Sequence, residues 1–142
     1  MKTLERPILL STLWLFVLLN FIYCDVIGLH DPDTLTAVLS GRVGDLEMTP
    51  TFLLASSLLM EIPIAMVLVA RIARRAVTRV ASIAAAAFMV LVQSASLFVG
   101  VPSLSYAFFS AIEIATLVVI AVAAARWTAA ASAELKNELI PA

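Results

Sequence analysis

Four apolar runs of about twenty residues each, joined by short polar links, leave this 142-residue chain few possible folds. They cover residues 7–29, 51–70, 80–99 and 106–125. A helix of roughly twenty apolar residues crosses a ~30 Å hydrocarbon core. Backbone in hydrocarbon must also satisfy its own hydrogen bonds, which a helix does and an open strand does not. Charged residues make up 13% of the chain, against about a quarter in soluble domains. The expected fold is therefore all-α, an integral membrane bundle of four transmembrane helices. It forms one domain over residues 1–128, followed by a cytoplasmic tail over 129–142.

Orientation follows from the links. Lys2 and Arg6 precede the first run, Arg71, Arg74, Arg75 and Arg79 lie between the second and third, and Arg126 and Lys136 follow the fourth. The loop after the first run carries Asp31, Asp33, Asp45 and Glu47 against Arg42 alone, and residues 100–105 carry no charge. Positive residues thus alternate to one side, which places both termini in the cytoplasm of a multi-pass protein of the cell inner membrane. The arginine cluster sets topology first, with an anionic-lipid contact as its second use. It has no aromatic interleaving, and nucleic acid is not an expected partner. The first run begins like a signal peptide but is longer than an h-region and has no A-x-A site after it, so it reads as a retained span. Bulky Ile22 and Tyr23 before Cys24 argue against a lipoprotein site. A lone cysteine allows no internal disulfide and reads as a small buried hydrophobe.

The helix breakers support this division. Pro7 suits a first helical turn, and Thr49-Pro50 reads as an N-cap followed by the first residue of the second span. In the outer loop, Asp33 is the expected cap of a short helix over 34–39, with Gly41 ending it. The Gly100-Val101-Pro102-Ser103 turn makes the third and fourth spans antiparallel neighbours. Trp14 reads as packing, whereas Trp127 sits where an interfacial anchor belongs.

Asp25, Glu61, Gln93 and Glu113 interrupt these runs. An ionisable group in hydrocarbon costs at least about 2.5–3.5 kcal/mol, so three such carboxylates call for a shared interior, a partner, protons or a cation. At ~1.5 Å per residue, Asp25 lies roughly 6 Å inside the outer boundary, Gln93 about 9 Å, Glu113 about 10 Å and Glu61 about 15 Å. All four fall in the outer half or at the midplane, as in a funnel opening outward with Glu61 at its floor. Three stripes match facing helices of a bundle: Ser57, Glu61 and Ala65; Ala86, Met89, Gln93 and Ser96; and Ser110, Glu113 and Thr116. On the first span, Asn20 and Tyr23 share a side, and Asp25 points about 140° away from Asn20. Either Asn20 or Asp25 faces the funnel, but hardly both. The simpler use of Gln93 and Asn20 is helix-packing glue. For Glu61 it is a protonated acid bonded to a neighbouring serine or carbonyl, and for Asp25 contact with headgroups and water. Pro63, two residues after Glu61, introduces a kink and frees a carbonyl.

The candidate ligand- or proton-binding residues are thus Glu61, Glu113, Asp25, Gln93, Tyr23 and Asn20. No catalytic residues are expected, because no nucleophile elbow, P-loop or dinucleotide fingerprint appears. No metal site is expected either, since the only histidine, His30, stands in the outer loop. The cofactor is unknown. The function these features suggest is proton-linked binding or transport of a small solute, with an accessory or purely structural helix-bundle subunit as the alternative. The lipid bilayer is the first partner. Ala81-x-x-x-Ala85 and Ala111-x-x-x-Ala115 add a homo-oligomer.

At LSTLW-x-FVLLN-x-IYCD of the first span, MEIPIAM of the second and FFSAIEI of the fourth, the chain resembles a family of small uncharacterised bacterial four-helix membrane proteins. The resemblance runs from about Arg6 to Trp127 and implies that Asn20, Tyr23, Asp25, Glu61, Pro63 and Glu113 stand at that family's marked positions. In size and layout the chain is also distantly similar to DoxX-like membrane proteins, which implies a redox-associated role.

Overall fold

A computed structural model describes residues 5–99 and 102–127. Its elements in order are α1 (Arg6–Gly28), α2 (Pro32–Leu39), β1 (Arg42–Val43), β2 (Leu46–Glu47), α3 (Pro50–Ile72), α4 (Arg75–Ser96) and α5 (Leu104–Ala125). Four of these, α1, α3, α4 and α5, are long and apolar enough to cross a membrane. The expected tail over 129–142, Lys2, Gly100 and Val101 lie outside the described residues.

Caps set the helix starts. The Thr49 hydroxyl accepts the Phe52 amide at 3.1 Å, with Pro50 in the first turn of α3. The Ser103 hydroxyl accepts the Tyr106 amide at 3.2 Å at the start of α5. A proline also opens α1, where its missing N–H costs no intrahelical bond. Between α3 and α4 the chain needs only Ala73 and Arg74. Arg71, Arg75 and Arg79 therefore stand on helix ends rather than in a loop.

Packing follows α3–α1–α5–α4. The α1/α5 pair forms the centre, α4 lies along α5, α3 lies along α1, and α3 touches α4 only slightly. Along α1 the buried residues Leu10, Trp14, Val17, Phe21 and Cys24 recur at alternating spacings of four and three, as in a coiled-coil seam. Trp14 is wholly enclosed, and its indole Nε1 donates to the Ser82 hydroxyl at 3.4 Å. Thr78, Ser82 and Ala86 are buried on α4, and such small side chains let helix backbones approach closely. The Ser11 hydroxyl donates to the Val67 carbonyl at 3.0 Å, fixing how α3 is rotated against α1. On α3 the buried residues are Pro63, Met66 and Ala70. The helix continues through Pro63, leaving the Leu59 carbonyl without its usual donor. Trp127, just past the end of α5, is buried in the core cluster.

The segment between α1 and α3 differs from expectation in two respects. The cap of α2 is Asp31, not Asp33, because Pro32 takes the first helical turn. The Asp31 carboxylate accepts the Thr34 amide at 3.1 Å and its hydroxyl at 2.7 Å, which holds it below the usual carboxylate range. Gly41, at φ 77°, follows the end of α2 as expected. Beyond it, the expected loop is a short hairpin pairing Arg42 with Glu47 and Val43 with Leu46. Gly44 turns it at φ 54°, and a Cβ there would come 3.2 Å from the Val99 side chain and carbonyl. The hairpin therefore lies directly against the chain just after α4.

Candidate functional site

A polar cluster joins α1, α4 and α5 in the half of the bundle that carries the α1–α3 and α4–α5 links. Gln93 is buried on α4 and Ser110 on α5, and the Gln93 amide Nε2 donates to the Ser110 hydroxyl at 2.8 Å. One turn nearer the α4–α5 link, the Tyr106 hydroxyl donates to the Ser96 hydroxyl at 2.6 Å. The Ser96 hydroxyl in turn donates to the Gln93 carbonyl at 2.7 Å. Two side-chain bonds therefore tie α4 to α5 at adjacent turns. Unlike apolar contacts, such bonds also fix helix register.

Glu113 lies one turn below Ser110 and is fully enclosed, at 0% exposure. Neither of its carboxyl oxygens has a hydrogen-bond partner. From α1, Asp25 and buried Cys24 lie near Glu113, and Tyr106 lies near both Glu113 and Cys24. Asp25 itself is exposed, so it stands where the cluster meets the molecular surface. The order from the linked helix ends toward the middle of the bundle is an open carboxyl, a hydroxyl–amide network, then a sealed carboxyl.

DUF6326, a family of unknown function, matches residues 2–134. The chain belongs to DUF6326. No curated protein and no solved structure matches it, so the DoxX-like layout gains no support from these comparisons.

In this DUF6326 member the structure brings together three of the six sequence candidates, Asp25, Gln93 and Glu113. The other three stand elsewhere. The Asn20 side chain donates to the Phe16 carbonyl of its own helix at 2.9 Å, which satisfies it locally. Tyr23 is 58% exposed on the outer surface of α1. Glu61 is also exposed, and it does not form the floor of a funnel. At about 100° per residue it lies roughly 160° around α3 from buried Pro63, on the side facing away from α1. The expected convergence of Glu61 with Glu113 is therefore corrected: of the three carboxylates, only Glu113 is buried.

Tyr106, Ser96, Ser110 and Cys24 join the site although only their neighbours were candidates. The signal for three of them was helical spacing, with Ser110 three and Tyr106 seven residues before Glu113 and Ser96 three after Gln93. For Cys24 it was the four–three seam of α1. Chemically, the DUF6326 site offers one enclosed acid whose charge must be neutralised, beside hydroxyls and an amide that can donate or accept.

Proposed function

We propose that this small polytopic membrane protein binds a small cationic or neutral solute in the outer half of its bundle and exchanges a proton at Glu113. The observation carrying this reading is the enclosed Glu113 carboxyl with both oxygens unpartnered. Leaving a buried charge uncompensated costs several kcal/mol. A proton or a cationic ligand removes that cost, so ionisation and binding become linked. Asp25, exposed and within electrostatic reach of Glu113, supplies an outward route for the proton. The Gln93, Ser110, Ser96 and Tyr106 groups orient whatever enters.

The arginines at the α3–α4 end and the acidic segment at the opposite end support a location in the cell inner membrane with both termini cytoplasmic. The exposed Asp25 end of the site then faces the outside. Outward-facing Glu61 favours a second reading, that the protein works within an assembly.

The test is proton-linked flux in liposomes carrying the full chain, with methylammonium as cationic probe and a small alcohol as neutral probe. Carboxyl infrared titration accompanies it. Glu113→Gln keeps the shape of the side chain and removes its titration, so the pH-dependent signal disappears while the fold survives. Asp25→Asn has a smaller effect. If Glu113→Gln titrates and carries flux like the unaltered protein, the proposal fails.

A further inference from the structure

Glu61 occupies the middle position of the 23-residue α3, with eleven residues on either side within Pro50–Ile72. It is therefore at mid-depth of the span, and it lies on the face turned away from the rest of the bundle. Leu54, Leu58, Ile64 and Leu68 surround it there, all exposed. Among the described residues, no hydrogen bond or ion pair within the protomer engages its carboxyl. Lipid covers this face only at a cost, because hydrocarbon offers the acid neither donor nor acceptor. Glutamate is too short to reach a headgroup from the midplane. The nearest arginine along α3, Arg71, is ten residues and roughly 15 Å away.

From this geometry we infer that the Glu61 face of α3 is the contact between two copies of this chain. Both copies insert with the same orientation, so a two-fold axis relating them runs along the membrane normal. Each residue of α3 facing that axis then meets its own counterpart at the same depth. Glu61 meets Glu61, and a carboxylic acid is self-complementary, with one O–H donor and one carbonyl acceptor. The flanking residues permit the approach. Ser57 lies one turn outward and Ala65 one turn inward, both small enough for the two helices to close around the acid pair. Ser57 is exposed, and its hydroxyl bonds only to the Leu53 carbonyl of its own helix at 2.8 Å. The slight α3–α4 contact fits this arrangement, since α3 finds its second packing surface outside the protomer. This assignment is independent of Glu113.

The experiment uses the full chain with Cys24→Ser, reconstituted in liposomes at low protein density and also measured by light scattering in mild detergent. Single cysteines are placed by Ser57→Cys and Ala65→Cys on the proposed face, and by Leu91→Cys and Val118→Cys on lipid-exposed faces of α4 and α5. Oxidation is expected to couple the first pair at least tenfold more efficiently than the second. Glu61→Leu should weaken association at least tenfold, whereas Glu61→Gln, which also pairs with itself, should stay within about threefold. A monomer at every protein density overturns the inference. So does equal or stronger coupling at the α4 and α5 positions, or a Glu61→Leu protein as dimeric as the parent. Association that appears only with a different membrane protein also overturns it. Because Glu61 is exposed within the protomer, thermal unfolding of Glu61→Leu should match the parent monomer, which separates lost association from lost folding.

Discussion

Glu61 and Glu113 belong to opposite environments of the same bundle: Glu113 is sealed between helices, and Glu61 looks outward from the far side of α3. The two acids therefore pose separate problems. An enclosed carboxyl must be neutralised by something small enough to reach it, such as a proton or a small cation. An outward carboxyl at mid-depth is costly against hydrocarbon, and a protein surface would remove that cost. On the two proposals above, one chain carries an internal site and an external contact, connected through α1, which packs against both α3 and α5.

The Gln93–Ser110 bond is expected to couple α4 to α5 energetically. Interhelical side-chain bonds in membranes average about 0.6 kcal/mol and reach about 1.7. A double-mutant cycle with Gln93→Leu and Ser110→Ala, read by steric-trap or denaturant unfolding in micelles, should give a coupling of roughly 0.5–1.5 kcal/mol. Additive effects would mean that the bond contributes nothing beyond packing.

Trp14 fills the centre of the bundle at 0% exposure, and Leu91 faces outward at 70%. Truncating a large enclosed aromatic leaves a cavity and costs about 3–5 kcal/mol. At a lipid-facing position, hydrocarbon replaces the lost contacts, because lipid tails are as apolar as leucine. Trp14→Ala should lower the unfolding temperature strongly, and Leu91→Ala should leave it nearly unchanged. Comparable losses in both would remove Trp14 from the centre of the core.

The four spans could be read from the sequence because hydrocarbon imposes length and apolarity on every crossing helix. The faces were legible only as stripes. Ser110, Glu113 and Thr116 do turn inward, as do Ala86, Met89 and Gln93. The Ser57–Glu61–Ala65 stripe is equally regular yet turns outward. In water an apolar face marks the interior, but in a membrane both faces of a helix are apolar, so periodicity groups residues without giving the direction. The rotation of α3 is set by the Ser11–Val67 bond and by Pro63, Met66 and Ala70 against the core, which are long-range facts. The α2 cap was misplaced by two residues because Asp31 and Asp33 are both good caps. Only the preference of Pro32 for the first turn separates them.

Orientation can be checked by labelling. In a Cys24→Ser background, Ser40→Cys on the acidic side should react with an impermeant maleimide added to intact cells. Ala76→Cys on the arginine side should react only after the membrane is opened. Reversed labelling would turn the Glu113 site toward the cytoplasm and reverse the proposed direction of proton exchange.

The acidic segment contains a pH-sensitive cap. The Thr34 hydroxyl and amide both donate to Asp31 and hold its carboxyl below the usual range. A carboxyl lowered in the folded state binds fewer protons than in the unfolded one, so its contribution is fully present above the ordinary carboxylate pKa. It is lost as pH falls through the lowered value. The expected outcome is that the Thr34 amide resonance titrates with a midpoint below that of a free aspartate, and that the first turn of α2 opens on the acid side of it. Asp31→Asn should still cap the helix, because asparagine also accepts the amide, but the titration should vanish. Asp31→Ala should lose both the cap and the pH dependence. A Thr34 amide insensitive to pH in the parent protein would show that the Asp31–Thr34 pair does not hold α2 in solution.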